Sequence, residues 1–446
     1  MTTSPPSGGR RRERRRWPKV LLVTIAFVLI VSVAFGGFVW WRFGVPAVGD
    51  EITPFNDYAR SLQPEGKDGW PALERLAREG LGYDIFAEQP WRDPVWAPSR
   101  SLSLNAETVR TCDPDDARMP EAIEAVEEFA HLLPELDAIA AADVFVFLFR
   151  KRDDAPGTLA EAMQPLIHAG TIVRQLNSLN AAHMRLASER EDWAEVRRRL
   201  TTGVRLGQHI GRTPLLLPRI MGYAAESLAW SQLEQLLIER TPPTEVIDNL
   251  LALCDEVDPP LPLREAMLGE EIGSRGFLKQ YLDFERGEFD PFDTDSWSNW
   301  LNTPSYRAIA RAWREFNEAT LPIIDLPPAE REAKRMPTPP LVMRTAFVGD
   351  PYEMMVGGRD GLLRQRAAVQ ILLHLNLAIA ESGVIPADPL AALPADLRVD
   401  PLSGGTILVD AEPTGRFPYT LRWPVKHSMG FDRLFIERNP FEEDQQ

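Results

Sequence analysis

LNAAHMRLASEREDWAEVRRRLTTGVRLGQHI, residues 179–210, decides the fold of this chain. Its first part ends a long helix read over about Leu159 to Ser188. Asp192 then stands where an N-cap belongs, since a short carboxylate can accept from the first free amides of a helix. Beyond it, Trp193, Val196, Leu200 and Val204 recur every three to four residues and share one apolar face. Gly211 and Pro214 stop that second helix. Two helices with so short a link between them are antiparallel neighbours.

The pattern continues outward on both sides. Downstream, a helix spans Pro218 to Glu239 with Ile220, Tyr223, Ala224, Leu228, Leu233 and Leu237 as its apolar positions. Pro242-Pro243 opens a fourth, which holds Cys254, and Pro262 a fifth. Residues 158–288 are thus expected to form a mainly α helical-hairpin domain, solenoid-like or tetratricopeptide-like in architecture but without a fixed period of about 34 residues. Upstream, 42–157 is a Pro- and Trp-rich segment with short helices. Trp70-Pro71 opens one that Gly80 ends, and EQPWRDPVWAPSR (88–100) reads as an ordered loop. Pro120 begins another, and Pro134 kinks or breaks it. VFVFLF (144–149) fits a short buried strand or the end of a helix.

After the hairpins, 289–345 reads as an acidic, Pro-rich linker. Within 346–385 a long helix is expected over roughly Asp360 to Glu381, with Gly383 past its end. Its centre, AAVQILLHLNLAIA, is apolar on nearly every face yet too short and too polar to cross a bilayer, which marks a buried core helix. In 386–446, Thr406–Val409 and Tyr419–Trp423 flank the turn-rich DAEPTGRFP, the pattern of a small β-hairpin, and FEEDQQ ends the chain as an expected mobile tail.

The N-terminal part has a different chemistry. Val20 to Trp41, VLLVTIAFVLIVSVAFGGFVWW, holds 22 residues without a charge. At about 1.5 Å per residue this crosses the roughly 30 Å hydrocarbon core of a bilayer. Trp40 and Trp41 sit at an interface position, and RRRERRRWPK precedes the stretch, so the positive-inside rule keeps residues 1–19 in the cytoplasm. The competing reading is a cleaved signal peptide with Ser32-Val33-Ala34 at the cut. The uncleaved single-pass anchor is preferred because apolar character runs on through Trp41. The bulk of the chain is then expected outside a bacterial inner membrane, in the periplasm or beyond.

Charge follows the same division. Seven of the 49 basic residues and one of the 65 acidic residues lie in 1–19, leaving 42 and 64 beyond, a balance of −22. Such a surface repels phosphate backbones and excludes nucleic acid as a partner of the large domain. Lipid is the expected partner of 20–41.

Three stretches carry a resemblance: residues 179–210, LLLPRIMGYAAESLAWSQLEQLL (215–237), and a long alanine-rich helix followed by LPADLRVDPLSGG (393–405). Together they resemble a family of uncharacterised, membrane-anchored, mainly helical bacterial proteins with an Asp-Pro-containing C-terminal segment. In that family the last motif leads into a short β segment similar to the ending of type II secretion pseudopilins. Here RWPVKHSMGFDRLF (422–435) replaces the usual aromatic and glycine-rich ending. The resemblance implies the architecture and no activity.

The residues that could carry chemistry form no recognised constellation. Cys112 and Cys254 are the only cysteines. A disulfide between them would close a long loop, worth roughly 4–5 kcal/mol, whereas Cys254 within LLALC also reads as a small buried apolar residue. No two of the six histidines stand at i, i+4, and His183 and His209 lie on helices expected to be neighbours. Asp113, Asp115 and Asp116, and Asp290, Asp293 and Asp295, lack the glycine and closing glutamate of a calcium loop and read as turns and caps. Glu270 and Glu271 are adjacent and so point apart. Arg197-Arg198-Arg199 reads as a solvated face paired to Glu195, with a partner-binding patch as the minority reading. No cofactor, metal or catalytic residue is assigned. The expected function is a membrane-tethered helical scaffold that binds another protein. An extracytoplasmic hydrolase built from distant carboxylates is the alternative, and an accessory component of secretion machinery a weaker one.

Overall fold

Proline places many of the helix starts in this chain, because a first-turn residue needs no amide partner and proline's φ is already helical. The computed structural model describes residues 44, 48–86, 96–150, 157–286, 303–335, 337–338, 351–411 and 417–425. The basic tail, the apolar stretch 20–41 with its alternative cut after Ala34, and the acidic tail lie outside the described residues. Among those described, no helix is long and apolar enough to cross a membrane.

The protein is mainly helical. In chain order the α-helices are α1 (Ile52–Ser61), α2 (Trp70–Arg75), α3 (Trp96–Thr111), α4 (Met119–Glu128), α5 (Leu133–Ala140), α6 (Leu159–Ala162) and α7 (Gln164–Glu189). They continue with α8 (Trp193–Gly211), α9 (Leu216–Glu239), α10 (Thr244–Glu256), α11 (Leu263–Arg286), α12 (Tyr306–Thr320), α13 (Pro328–Lys334) and α14 (Pro351–Ser382). Prolines occupy the first turns of α2, α4, α5 and α7. Pro134 therefore opens α5 rather than kinking α4. Similarly, Pro165 starts α7 afresh, so the single helix expected from Leu159 is interrupted at Met163.

Two compact units divide the chain. The smaller comprises 1–47 and 278–312, the larger 48–277 and 313–446. In the smaller, Leu278 and Leu282 are buried on one face of α11, while Lys279 pairs with Asp283 at 2.6 Å on the other.

At its centre α7, α8 and α9 pack against one another. Asp192 caps α8 as expected, its Oδ1 accepting from Glu195 N at 3.0 Å. The α8–α9 approach is backbone to backbone. A Cβ on Gly207 would stand 2.6 Å from Glu226 N, and one on Gly222 would stand 2.7 Å from Gly207 O. Only glycine fits at either position.

Strict succession of hairpins ends there. The second long neighbour of α9 is α14, more than a hundred residues on, and α10 packs against α14 and α8. The cause is legible in α9 itself: Leu216, Tyr223, Ala225, Ala229, Trp230, Leu233 and Leu236 are buried over about half of its circumference, while Ala224 on the other side is exposed. So wide a buried arc takes more than one neighbouring helix to cover. α14 begins at Pro351, nine residues before the start read at Asp360, and ends at Ser382, with Gly383 at φ +70° as its stop.

Other local readings change. Residues 96–100, read as loop, open the 16-residue helix α3. The described part of 289–345 holds α12 and α13 rather than bare linker. Tyr306, Ile309, Trp313 and Phe316 are buried at helical spacing along α12. The turn after it supplies Asp325, whose carboxylate accepts from Leu263 N at 2.7 Å and Arg264 N at 3.0 Å, capping α11.

VFVFLF is no helix end, and among the described residues its strand-like pairing is confined to an isolated parallel bridge between Val144 and Asp68. It runs extended, burying Phe145, Phe147 and Phe149 in the main apolar cluster against Trp70 and Phe55. Side chains replace a partner strand. Asn56 Nδ2 donates to Phe149 O at 2.9 Å, Phe149 N donates back to Asn56 Oδ1 at 3.0 Å, and Val146 N donates to Asp68 Oδ1 at 3.1 Å. Buried backbone groups must be paired somewhere, and here side-chain oxygens and an amide do it.

At the C-terminal end, β1 (Leu408–Ala411) pairs antiparallel with β2 (Tyr419–Arg422), with Leu408 opposite Arg422 and Ala411 opposite Tyr419. This is the expected hairpin, shifted by two residues in its first strand.

Candidate functional site

The arginine run of α8 splits between core and surface. Arg199 is fully buried, not solvated as expected. It ion-pairs with Asp137 of α5 and with Glu195 at 2.9 Å, and its Nη1 donates to Asn180 Oδ1 at 3.1 Å. Its position between Val196 and Val204 on the inner face explains this: the helix carries it inward, and Asp137 meets the charge there. Thr202 Oγ1 donates to the other oxygen of Asp137 at 2.6 Å. Asp137 is thus spent on holding α5 to α8.

Arg197, Arg198 and Arg205 face the other way. With Ala194, Thr201 and Thr202 they form one wall of a solvent-open groove of about 490 Å³. Asp137, Ala140 and Ala141 of α5 form the second wall, and Leu253 and Glu256 of α10 close the third side. Small residues on α5 leave the depth, and Leu253 supplies an apolar patch. Arg198 pairs with Glu195 and stands 3.8 Å from Asp137. Among the described residues, Arg197 and Arg205 have no carboxylate partner. Guanidiniums on such a wall suit anionic groups; among the described lining residues Asp137 is already paired and Glu256 is the one carboxylate without an ion pair.

A second cavity, about 330 Å³, lies between α9, α10, α14 and residues 396–401. Trp230, Cys254, Leu363, Arg366, Gln370 and Asp396 line it together with prolines and aliphatic side chains. Behind its wall sits Glu226, whose Oε1 accepts from Arg366 Nε at 3.0 Å and from Trp230 Nε1 at 3.1 Å. Burial raises the Glu226 carboxyl, with Arg366 opposing. Burial also pushes the Glu234 carboxyl up to about 8 and the Glu270 carboxyl up to about 7. Glu270 accepts from Leu216 N at 3.0 Å, at the start of α9. None of these carboxyls lines either cavity.

The remaining residues singled out from sequence lie apart. Cys112 and Cys254 are free thiols, and burial drives the Cys254 thiol up to about 12. His183 donates to Val126 O at 3.4 Å and His209 to Ala140 O at 3.2 Å, two separate partners rather than a shared site. His168 meets Ile85 O at 3.0 Å and His131 meets Glu128 O at 2.8 Å. Asp116 is forked by Arg118 at 2.7 and 3.0 Å, while Asp113 accepts from Asp115 N, so that cluster is a hydrogen-bonded turn. Asp290, Asp293 and Asp295 fall outside the described residues. Glu271 is exposed while its neighbour Glu270 is buried. Among the described residues no group of three or more His, Cys, Asp or Glu side chains could hold a metal ion.

No family model, no curated protein and no solved structure matches this chain.

Arg205 was not singled out from the sequence, although the signal was present. Arg197, Thr201 and Arg205 stand at i, i+4 and i+8, one line along a helix. The opposite walls carry Asp137, 60 residues before Arg197, and Glu256, 51 residues after Arg205, and leave no mark in the local pattern.

Proposed function

We propose that the protein is a membrane-tethered helical scaffold whose domain beyond residue 41 binds another protein outside the cytoplasm. Residues 20–41 anchor it in a bacterial inner membrane with residues 1–19 inside. The resemblance to membrane-anchored helical proteins with an Asp-Pro-containing ending supports that arrangement, as does the uncharged length of the stretch. The packed hairpin of α7 and α8, extended by α9, supplies the tetratricopeptide-like frame on which a partner rests.

One observation carries the binding reading: a solvent-open groove with two arginines that have no carboxylate partner among the described residues, in a chain whose balance beyond residue 19 is −22. Two guanidiniums on one line of a helix make an electropositive stretch in an otherwise acidic domain, which favours an anionic group. A photo-crosslinker placed at Thr201 in the membrane-bound chain should trap a discrete protein partner. The scaffold reading fails if crosslinkers at Thr201 and at exposed sites on every other helix trap nothing. The tether is tested separately: a reporter fused after residue 446 should be active only outside the cytoplasm, and cytoplasmic activity would sink the topology.

A further inference from the structure

We propose that the α5–α8–α10 groove takes an acidic segment of the partner, with Arg197 and Arg205 each receiving a carboxylate. This deepens the scaffold reading and rests on it. The eight-position separation of the two arginines places them about 12 Å apart along α8. Two acidic residues separated by two turns of a partner helix, or by three residues of an extended strand, match that distance.

The surrounding charges favour a short segment. Asp137 is consumed by Arg199 and Thr202, and Glu195 by Arg198 and Arg199. Only Glu256 remains as an uncompensated acid on the groove wall, at the α10 side. An acidic segment therefore lies along α8, away from α10. A long polyanion or an anionic membrane surface would also meet the acidic balance of the rest of the domain and be repelled by it. A few carboxylates inside the groove meet only the arginines. The apolar floor of Ala140, Ala141, Ala194 and Leu253 adds burial for the aliphatic stems of the incoming side chains. A volume of about 490 Å³ lies within the roughly 300–1,000 Å³ of ligand-sized clefts.

The test uses the full chain in detergent micelles and a fluorescent octaglutamate peptide at about 50 mM salt, where surface charges are weakly screened. Arg197→Glu with Arg205→Glu should weaken binding by roughly tenfold or more. The charge-matched control, Arg60→Glu with Arg264→Glu, should leave it nearly unchanged. If the first variant loses its helical signal, the neutral pair Arg197→Gln with Arg205→Gln replaces it, with the same direction expected. The proposal is overturned by absence of peptide binding, by equal loss in both variants, or by self-association of the chain that the groove variant abolishes. It is also overturned if inorganic phosphate displaces the peptide at equal charge, or if phosphatidylglycerol vesicles bind the groove as well as the peptide does. Crosslinking separates the two readings: a partner still trapped by the Arg197→Glu/Arg205→Glu chain sinks the groove assignment and leaves the scaffold standing. Peptide binding with no trapped partner does the reverse.

Discussion

Arg364 forks onto Asp400, Nε to Oδ1 at 3.0 Å and Nη2 to Oδ2 at 2.7 Å, with both side chains buried. Asp400 is the acid of the Asp-Pro motif, and it also accepts from Leu402 N at 3.1 Å and Ser403 Oγ at 2.7 Å. Arg364 Nη2 reaches Val425 O at 2.8 Å. One ion pair thus ties α14 to both ends of the C-terminal segment. Burial alone would raise the Asp400 carboxyl, but Arg364 and Ser403 outweigh it and the net shift is downward. An acid depressed in the folded state contributes stability that is present above its unfolded pKa, near 3.9, and lost as pH falls through the folded value.

Asp400→Ala leaves a buried guanidinium without its anion. The expected cost is about 3–5 kcal/mol, the usual penalty for removing one partner of a buried pair. It reads as a lower urea midpoint for the full chain. Replacing Arg364 and Asp400 together by Met and Leu should recover most of it; a double variant as unstable as the single one would show that the pair is not the cause.

His209 makes stability pH-dependent. Burial first, then Arg212, lowers its pKa to about 4, and its ring stacks on Phe145 at 5.4 Å. The unfolded chain binds a proton near pH 6.5 that the folded chain refuses. Stability should therefore be full above pH 6.5 and fall by on the order of 3 kcal/mol as pH drops toward 4. His209→Gln should flatten that part of the profile in thermal melts between pH 4 and 7.

Glu270 acts in the opposite direction. Its carboxyl is raised to about 7 by burial, so its contribution is complete below the unfolded value near 4.3 and declines as pH rises through 7. Glu270→Gln keeps an acceptor for Leu216 N and removes the buried charge. The variant should melt at a higher temperature than the parent at pH 8 and near the same temperature at pH 5. Equal melting at both pH values would refute the assignment.

Gly207→Ala should destabilise the chain by about 1–3 kcal/mol, because its Cβ would meet the backbone of α9 and not a yielding side chain. Gly49→Ala, with nothing within 4 Å, serves as the control and should change the urea midpoint little.

Cys254 should resist alkylation. With its thiol pushed up to about 12 by burial, almost no thiolate exists at pH 8. In the folded Cys112→Ser chain, iodoacetamide followed by mass spectrometry should find Cys254 largely unmodified until denaturant is added.

The helices were legible where one local signal sufficed. Asp192 before Trp193, Pro120 at the start of α4 and Gly383 after α14 mark their ends without help from the rest of the chain. α3 was missed because Pro94 and Pro98 are loop-like in composition; α12 was missed although Tyr306, Ile309, Trp313 and Phe316 recur at helical spacing, because the acidic run before Thr303 reads as a linker. Tertiary packing routinely overrides such weak local preferences.

Arg199 shows the limit most clearly. In sequence it is one of three equal arginines; in the fold it is buried against Asp137, while Arg197 and Arg198 line a groove. The sequence by itself determined the helical class, several of the helix ends and the uncharged stretch at 20–41, because period, caps and hydropathy act over a few neighbouring residues. Only the tertiary structure decided that α14 covers α9, that Asp400 holds Arg364, and which arginines face solvent. Those outcomes depend on charges and shapes brought together from residues far apart along the chain, where local pattern carries no information.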